Sequence, residues 1–270
     1  MQILIALILY PGVVALAASG VLLAFASGVR IPRLGAFASI HRTAEGVSIL
    51  MSLALLTFGA ALLPLPIHPA LGRWLVGKLP LAWALIEAAF LLPLLPGLIS
   101  RRPLEARAAS RAAQLGIAGR AVFWIAATAA MLTGTSLIDL PGRLLALVTG
   151  LMVLPAAAGL GPFGPEQSLA QAQQPGELDG ATQALLPFVR NIQAAVLVLA
   201  LAATVVPPVW ASGAQALIGA GSVIALVLLA GLLLTQIAGR PRLTLPMGLH
   251  WCWRRALPLA LASLVYVMIV

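Results

Sequence analysis

The chain has 270 residues, of which 61% are hydrophobic and only 9% charged, too little polar surface to cover a soluble globule of that size. A bilayer core takes roughly 20 apolar residues per helical crossing, so this length holds about eight crossings and leaves nothing for a large soluble domain. The net charge is +9, from 16 Lys and Arg against 7 Asp and Glu. The basic residues fall in short clusters between apolar runs, a pattern of membrane topology and not of nucleic-acid binding. Cys252 is the one cysteine, which excludes an internal disulfide and any cysteine-based cluster or zinc site made by this chain alone. His41, His68 and His250 are widely separated and form no ligand spacing, so no metal site is expected.

The first apolar stretch, Met1 to about Ser27, is too long for a signal-peptide core and lacks a basic start. It reads as a retained first helix. Further runs follow at about Gly46–Leu65, Pro80–Ser100, Gly116–Leu137, Leu144–Leu160, Asn191–Trp210, Ala214–Ile237 and Ala256–Val270, each near spanning length. Pro and Gly gather at their ends, as in Pro64-Leu65-Pro66, Pro141-Gly142, Pro207-Pro208 and Gly239-Arg240-Pro241, where breaking a helix costs least. The expectation is an all-α, polytopic membrane protein of about eight transmembrane helices. A single membrane domain spans residues 1–270, with an amphipathic segment at about 29–43 and a polar loop at about 161–190. No internal repeat argues for duplicated halves, the most direct pointer to a secondary transporter.

Lys and Arg resist transfer across the membrane and stay on the cytoplasmic side. Thirteen of the 16 basic residues fall in or beside the odd-numbered connections, and only Arg73, Lys78 and Arg143 in the even ones. The odd connections are therefore expected in the cytoplasm and both termini outside, in a bacterial cytoplasmic membrane. The 161–190 loop, with Glu166, Glu177 and Asp179, is the largest polar piece of that face.

An acid inside the membrane is costly unless neutral, paired or watered. Glu87, within Leu85-Ile86-Glu87-Ala88-Ala89, is the intramembrane acid. It reads either as a proton-relay group or quinone contact, or as a protonated acid hydrogen-bonded to a neighbouring helix. Glu45 opens the second helix, where its charge suits the positive helix N-terminus. The cluster from Arg101 and Arg102 through Arg107 to Arg111 reads as a topology signal, a lipid head-group site or a docking patch for an acidic partner. Arg120 is expected one turn inside its helix, snorkelling to the interface. Trp251, Trp253 and Tyr266 fit interfacial anchoring, and the histidines interfacial hydrogen bonding. No Gly-rich phosphate loop, nucleophile elbow or metal motif is present.

Four stretches, in order, resemble the membrane-subunit 1 family of respiratory complex I, the NADH-quinone oxidoreductase. Gly35-Ala36-Phe37-Ala38-Ser39-Ile40-His41-Arg42-Thr43-Ala44-Glu45-Gly46 is similar to the family's Gly-Pro-x-Gly stretch followed by Ala-Asp-Gly, with Glu45 standing for the aspartate. Arg107 through Gln114-Leu115 resembles its Arg-Ala-Ala…Gln-Leu segment. Pro162-Phe163-Gly164-Pro165-Glu166, followed by Glu177-Leu178-Asp179-Gly180, is similar to its Pro-Phe-Asp-x-x-Glu loop and the Glu-Tyr-Ser-Gly after it. Trp253-Arg254…Pro258-Leu259-Ala260-Leu261-Ala262 resembles its closing Trp-Lys…Pro-Leu-Ala-Leu-Ala.

The resemblance implies an eight-helix membrane subunit beneath a peripheral electron-transfer arm, walling a quinone channel. Arg30, Phe37 and Glu45 would line the channel doorway, beside the first helix. Arg101, Arg102, Arg107, Arg111, Phe163, Glu166 and Glu177 would dock partner subunits. Catalytic residues are not expected in this chain, nor a cofactor held by it alone; quinone and lipids are the implied small molecules, other subunits the implied partners. Related subunits anchor membrane-bound nickel-iron hydrogenases. The chain departs from the family where protons would travel: its Tyr-Glu after Gln-Leu is replaced around Ala118-Gly119-Arg120, the Asp of Pro-Phe-Asp by Gly164, and the Glu opening the sixth helix by Arg190. The proton-coupling residues are therefore expected to be lost. Two other readings stand beside this one, a stand-alone permease or lipid-handling protein, and a structural subunit of another energy-converting (photosynthetic or hydrogenase) membrane complex.

Overall fold

The computed structural model describes residues 2–29, 43–66, 68, 78–133, 136, 138–164, 180–206 and 214–269. They form helices joined by short turns, with no strand among the described residues. In chain order these are α1 (Gln2–Ile8), α2 (Val13–Ala26), α3 (Ala44–Ala61), α4 (Leu79–Leu91), α5 (Leu95–Ile99), α6 (Pro103–Leu132), α7 (Leu140–Ala158), α8 (Gly180–Val205), α9 (Ala214–Ala238), α10 (Leu245–Trp251) and α11 (Leu257–Ile269). A 3₁₀ turn at Leu92–Leu94 joins α4 to α5, and a π turn at Cys252–Ala256 joins α10 to α11. The described residues contain eight spans long and apolar enough to cross a membrane, so the chain is the multi-pass helical membrane protein that its composition implies.

Hydropathy underestimates three of the spans. The fourth starts at Pro103, far ahead of Gly116, because Ala, Arg and Gln in Ala106–Gln114 are strong helix formers and carry the helix past the apolar run. The sixth starts at Gly180 and the eighth at Leu245, each well before its apolar portion. Gly161–Phe163 is a 3₁₀ turn and Gly180–Arg190 is helical, so the expected loop over 161–190 narrows to its middle. That middle, like the amphipathic stretch expected at 29–43, lies outside the described residues apart from its edges.

The centre of the bundle is α8, whose residues from Ala194 to Ala202 are all buried. A helix that is apolar on every side belongs inside, and α8 packs against α2, α3, α6, α7 and α9. Apolar side chains gain little by leaving lipid for protein, so close fit and small residues set the packing. A Cβ on Gly119 of α6 would lie 2.6 Å from the Ala157 backbone nitrogen of α7. The glycine lets the two helices touch main chain to main chain. Cap chemistry fixes helix entry: the backbone N–H of Gly46 donates to the Thr43 hydroxyl at 3.0 Å, leaving Glu45 half-buried in the first turn of α3.

At the other end of α3, Tyr10 donates its hydroxyl to Pro66 O at 2.7 Å, and His68 Nε2 lies 2.9 Å from Ala61 O. The expected hydrogen bonding of His68 is present, but the ring is buried. Burial holds the imidazole below its ordinary value of 6.5, partly offset by the Ala61 carbonyl. A base with a depressed folded-state pKa contributes stability that is present above 6.5 and is lost as pH falls through the folded value. Melting of the detergent-solubilised protein should accordingly move to lower temperature as pH drops below 6.5, and His68→Gln should flatten that dependence.

Candidate functional site

Two connections and helix α6 meet at one end of the bundle. Leu243, ahead of α10, donates its backbone N–H to Pro162 O at 2.7 Å, and Arg111 of α6 donates Nη2 to Leu243 O at 2.5 Å. Phe163 stacks edge-on against Trp251 with ring centroids 5.1 Å apart. Beneath this clasp lies a small cavity of about 70 Å³. Arg111 and Arg190 line it together with Arg120, and its walls include Phe90, Leu115 and Phe163. Nine residues of α6 separate Arg111 from Arg120, a depth of about 13 Å at the helical rise.

Arg120 lies deepest and is only 3% exposed. Its Nε donates to Glu87 Oε2 at 2.8 Å, and its Nη1 to Ala157 O at 3.2 Å. The guanidinium also stacks over Phe90, 4.5 Å from the ring centroid. Trp124 Nε1, one turn along α6, donates to Glu87 Oε1 at 2.8 Å, so both carboxylate oxygens accept from α6. The indole is held between Trp83 and Phe123, each at 5.3 Å. A Cβ on Gly116 would come 2.8 Å from Arg120 Nη1, so the absent side chain is the space in which the guanidinium folds back. Arg120 Nη2 is buried at the cavity with no hydrogen-bond partner.

This geometry corrects two expectations. Arg120 does not snorkel: it sits 17 residues past the start of a helix that begins at Pro103, and an acid at matching depth compensates it. Glu87 does bond to a neighbouring helix, but with both oxygens accepting, from Arg120 and from Trp124. The signal for both is present in the sequence, since Glu87 is the one acid within an apolar run and Arg120 lies in the next run. Two opposite charges in consecutive crossings each need a partner, and each is the nearest available to the other.

The expected docking residues divide. Arg101, Arg102 and Arg107 are exposed, Arg102 pairing with Glu105 at 3.2 Å. Arg111 and Phe163 are 6% and 7% exposed, turned inward to the clasp, so neither adds to an exposed docking surface. Glu166 and Glu177 lie outside the described residues, as do the channel candidates Arg30 and Phe37. Glu45 does not line the cavity. Arg190, expected at the membrane edge, and Gln193 reach the cavity from inside α8, because that helix starts a full ten residues ahead of Arg190. Among the described residues no group of His, Cys, Asp and Glu is placed to hold a metal ion.

No known protein family matches the chain, and no curated protein does. A solved structure does match: one chain of the membrane-bound sulfane sulfur reductase, an archaeal respiratory membrane complex, overlays with a TM-score of 0.62 over 98% of both chains, at 18% identity. The two chains share one fold. That fold is continuous from the first span to the last, so the cavity stands in a membrane bundle that is also built in a respiratory complex.

The ion pair generates a double-mutant prediction. Glu87→Gln should strand Arg120 and cost about 3 kcal/mol, the low end for breaking a buried pair because Glu87 keeps 25% of its side chain exposed. Arg120→Gln should cost a similar amount. The double change should cost clearly less than the sum, read from thermal melts in detergent.

Proposed function

We propose that this chain is a membrane subunit of a multi-subunit, energy-converting respiratory complex, in which it anchors the peripheral arm and walls a chamber beneath it. The observation that carries the proposal is the fold shared end to end with a chain of an archaeal respiratory membrane complex. The four ordered stretches similar to the complex I membrane-subunit family support it independently. In this reading the odd-numbered connections face the cytoplasm, both termini lie outside, and the arginine-lined cavity opens toward the peripheral arm.

Within that role the cavity is a docking and binding wall and not a proton path. Proton transfer through low-dielectric protein needs titratable groups or waters at short intervals, and arginine stays charged at ordinary pH. Three of the lining positions are arginine and none is acidic, while Glu87 has both oxygens committed to Arg120 and Trp124. The apolar walls and guanidinium donors suit a quinone head group, with donors for its carbonyl oxygens. The matching complex is named for sulfane sulfur and not for a quinone, which favours as second reading a subunit of another energy-converting complex whose chamber takes no quinone.

Affinity purification of the full chain from its native membrane should bring down iron–sulfur and other membrane subunits; isolation as a lone monomer or dimer refutes the proposal. A photoreactive quinone should label the lining residues in the assembled complex in the first reading and leave them unlabelled in the second. For orientation, Ser100→Cys should react with a membrane-impermeant thiol reagent only from the cytoplasmic side and Ser136→Cys only from outside. In the assembled complex Glu87→Gln should leave the ratio of protons taken up per electron unchanged; lost pumping with electron transfer intact would show that a proton route passes through Glu87.

A further inference from the structure

The cavity beneath the clasp is lined by guanidinium groups and by no acid. An arginine carries five N–H donors in a planar fork. Arg120 commits Nε to Glu87 and Nη1 to the Ala157 carbonyl, while its Nη2 stays buried without an acceptor. The side chain is 3% exposed, so bulk solvent does not stand in for the missing partner. A buried donor left unmade carries its whole desolvation cost.

Arg190 reaches the same cavity from α8 and is half-buried there. Among the described residues it makes no hydrogen bond or ion pair, and the charged side chain that bears on it, Arg242, has the same sign. Glu87 does not neutralise it, because both carboxylate oxygens are already taken by Arg120 and Trp124. A water satisfies the N–H groups of Nη2 but does not offset the charge of Arg190 inside a low-dielectric bundle. An anion does both. The space sets its size: about 70 Å³, where one water takes roughly 30 Å³ of the liquid and sites for drug-sized ligands start at roughly 300 Å³. A substituted quinone ring has no room there, and a single small anion does.

We infer that this cavity is a binding site for one small inorganic oxoanion, of the sulfate or phosphate kind, which takes its donors from Arg120 Nη2 and from the Arg190 guanidinium. Guanidinium forks match the paired oxygens of such ions in geometry, and bonds to a charged acceptor are the strong ones. The apolar walls, Phe90 and Leu115 among them, keep those bonds from being screened by water. The bound ion joins α6 to α8 at the cavity. The inference rests on the second of the two readings above, a chamber that takes no quinone, and on no particular partner subunit.

The test uses the full chain as purified from its native membrane, with the subunits that accompany it, and reads the binding of radiolabelled sulfate by equilibrium dialysis at low ionic strength. Binding is the readout because sulfate raises melting temperatures in general by exclusion from protein surfaces. One sulfate should bind per chain and be displaced by inorganic phosphate. Arg190→Gln should weaken it by about tenfold or more. So should Ala112→Leu, which keeps every arginine and fills the cavity from α6; melting shows that each variant is folded. Arg254→Gln with Arg255→Gln, exposed on the last span, should leave binding unchanged. Phosphatidic acid added to the micelles separates two sources of the same chemistry: sulfate that it leaves in place marks a free ion as the occupant, sulfate that it displaces marks a lipid phosphate, and either keeps the site. No sulfate binding, equal loss in the Arg254 and Arg255 variant, binding untouched by Arg190→Gln and Ala112→Leu, or labelling of the lining by the photoreactive quinone would overturn it. Those results with other subunits still co-purifying remove the site and leave the proposed function standing; a chain that purifies alone and still binds sulfate does the reverse.

Discussion

A charge inside a membrane bundle must find its opposite within the protein, and the pairing of Arg120 with Glu87 meets that requirement at the centre of this fold. The pair links α4 to α6, the Ala157 carbonyl adds α7, and Phe90 closes the guanidinium from the α4 side. Its cost is lowered by what surrounds it. Gly116 leaves the space that the guanidinium occupies, and Gly119 brings the Ala157 backbone within reach. Trp124, fixed between two other aromatic rings, takes the second carboxylate oxygen. A side chain at either glycine would push the donors and acceptors apart, and an unpaired buried ion is among the most destabilising changes available to a protein.

The same pair decides the character of the cavity above it. With Glu87 committed on the far side of Arg120, the lining presents guanidinium groups and no carboxylate. Rings and clusters of fixed positive charge exclude protons and cations from a narrow space and draw in anions and carbonyl oxygens. A chamber of this kind is suited to hold an electron-rich head group and unsuited to pass protons onward.

Rigidity comes from α8 and from the clasp. The central helix gives the surrounding spans a common buried surface, and the bonds among Arg111, Leu243 and Pro162 tie two connections to helix α6 in one platform at the cavity mouth. The exposed Arg101, Arg102 and Arg107 stand beside that platform. Arg254 and Arg255 are exposed on the outer side of the last span.

What is legible in the sequence follows from which forces act locally. Composition and the spacing of apolar runs determine the helical membrane class and the number of spans, because the bilayer imposes one length on every crossing and internal hydrogen bonding on every backbone. Glu87 stands out by itself, since an acid in an apolar run is costly wherever the run packs. Hydropathy misplaces the helix start at Pro103 because it detects what enters lipid, whereas helix propensity continues through Ala, Arg and Gln beyond it; it also places the starts at Gly180 and Leu245 too late. Those displaced starts hide that Arg120 and Arg190 lie inside their helices, at the cavity. Only the tertiary structure decided which charges meet: Arg120 turns inward onto Glu87, Arg111 is drawn into the clasp, and Arg254 and Arg255 are left outside. Pairing depends on the rotation and height of each helix against its neighbours, which contacts such as Gly119 on Ala157 and Ser263 on Gly142 determine and which no single span encodes.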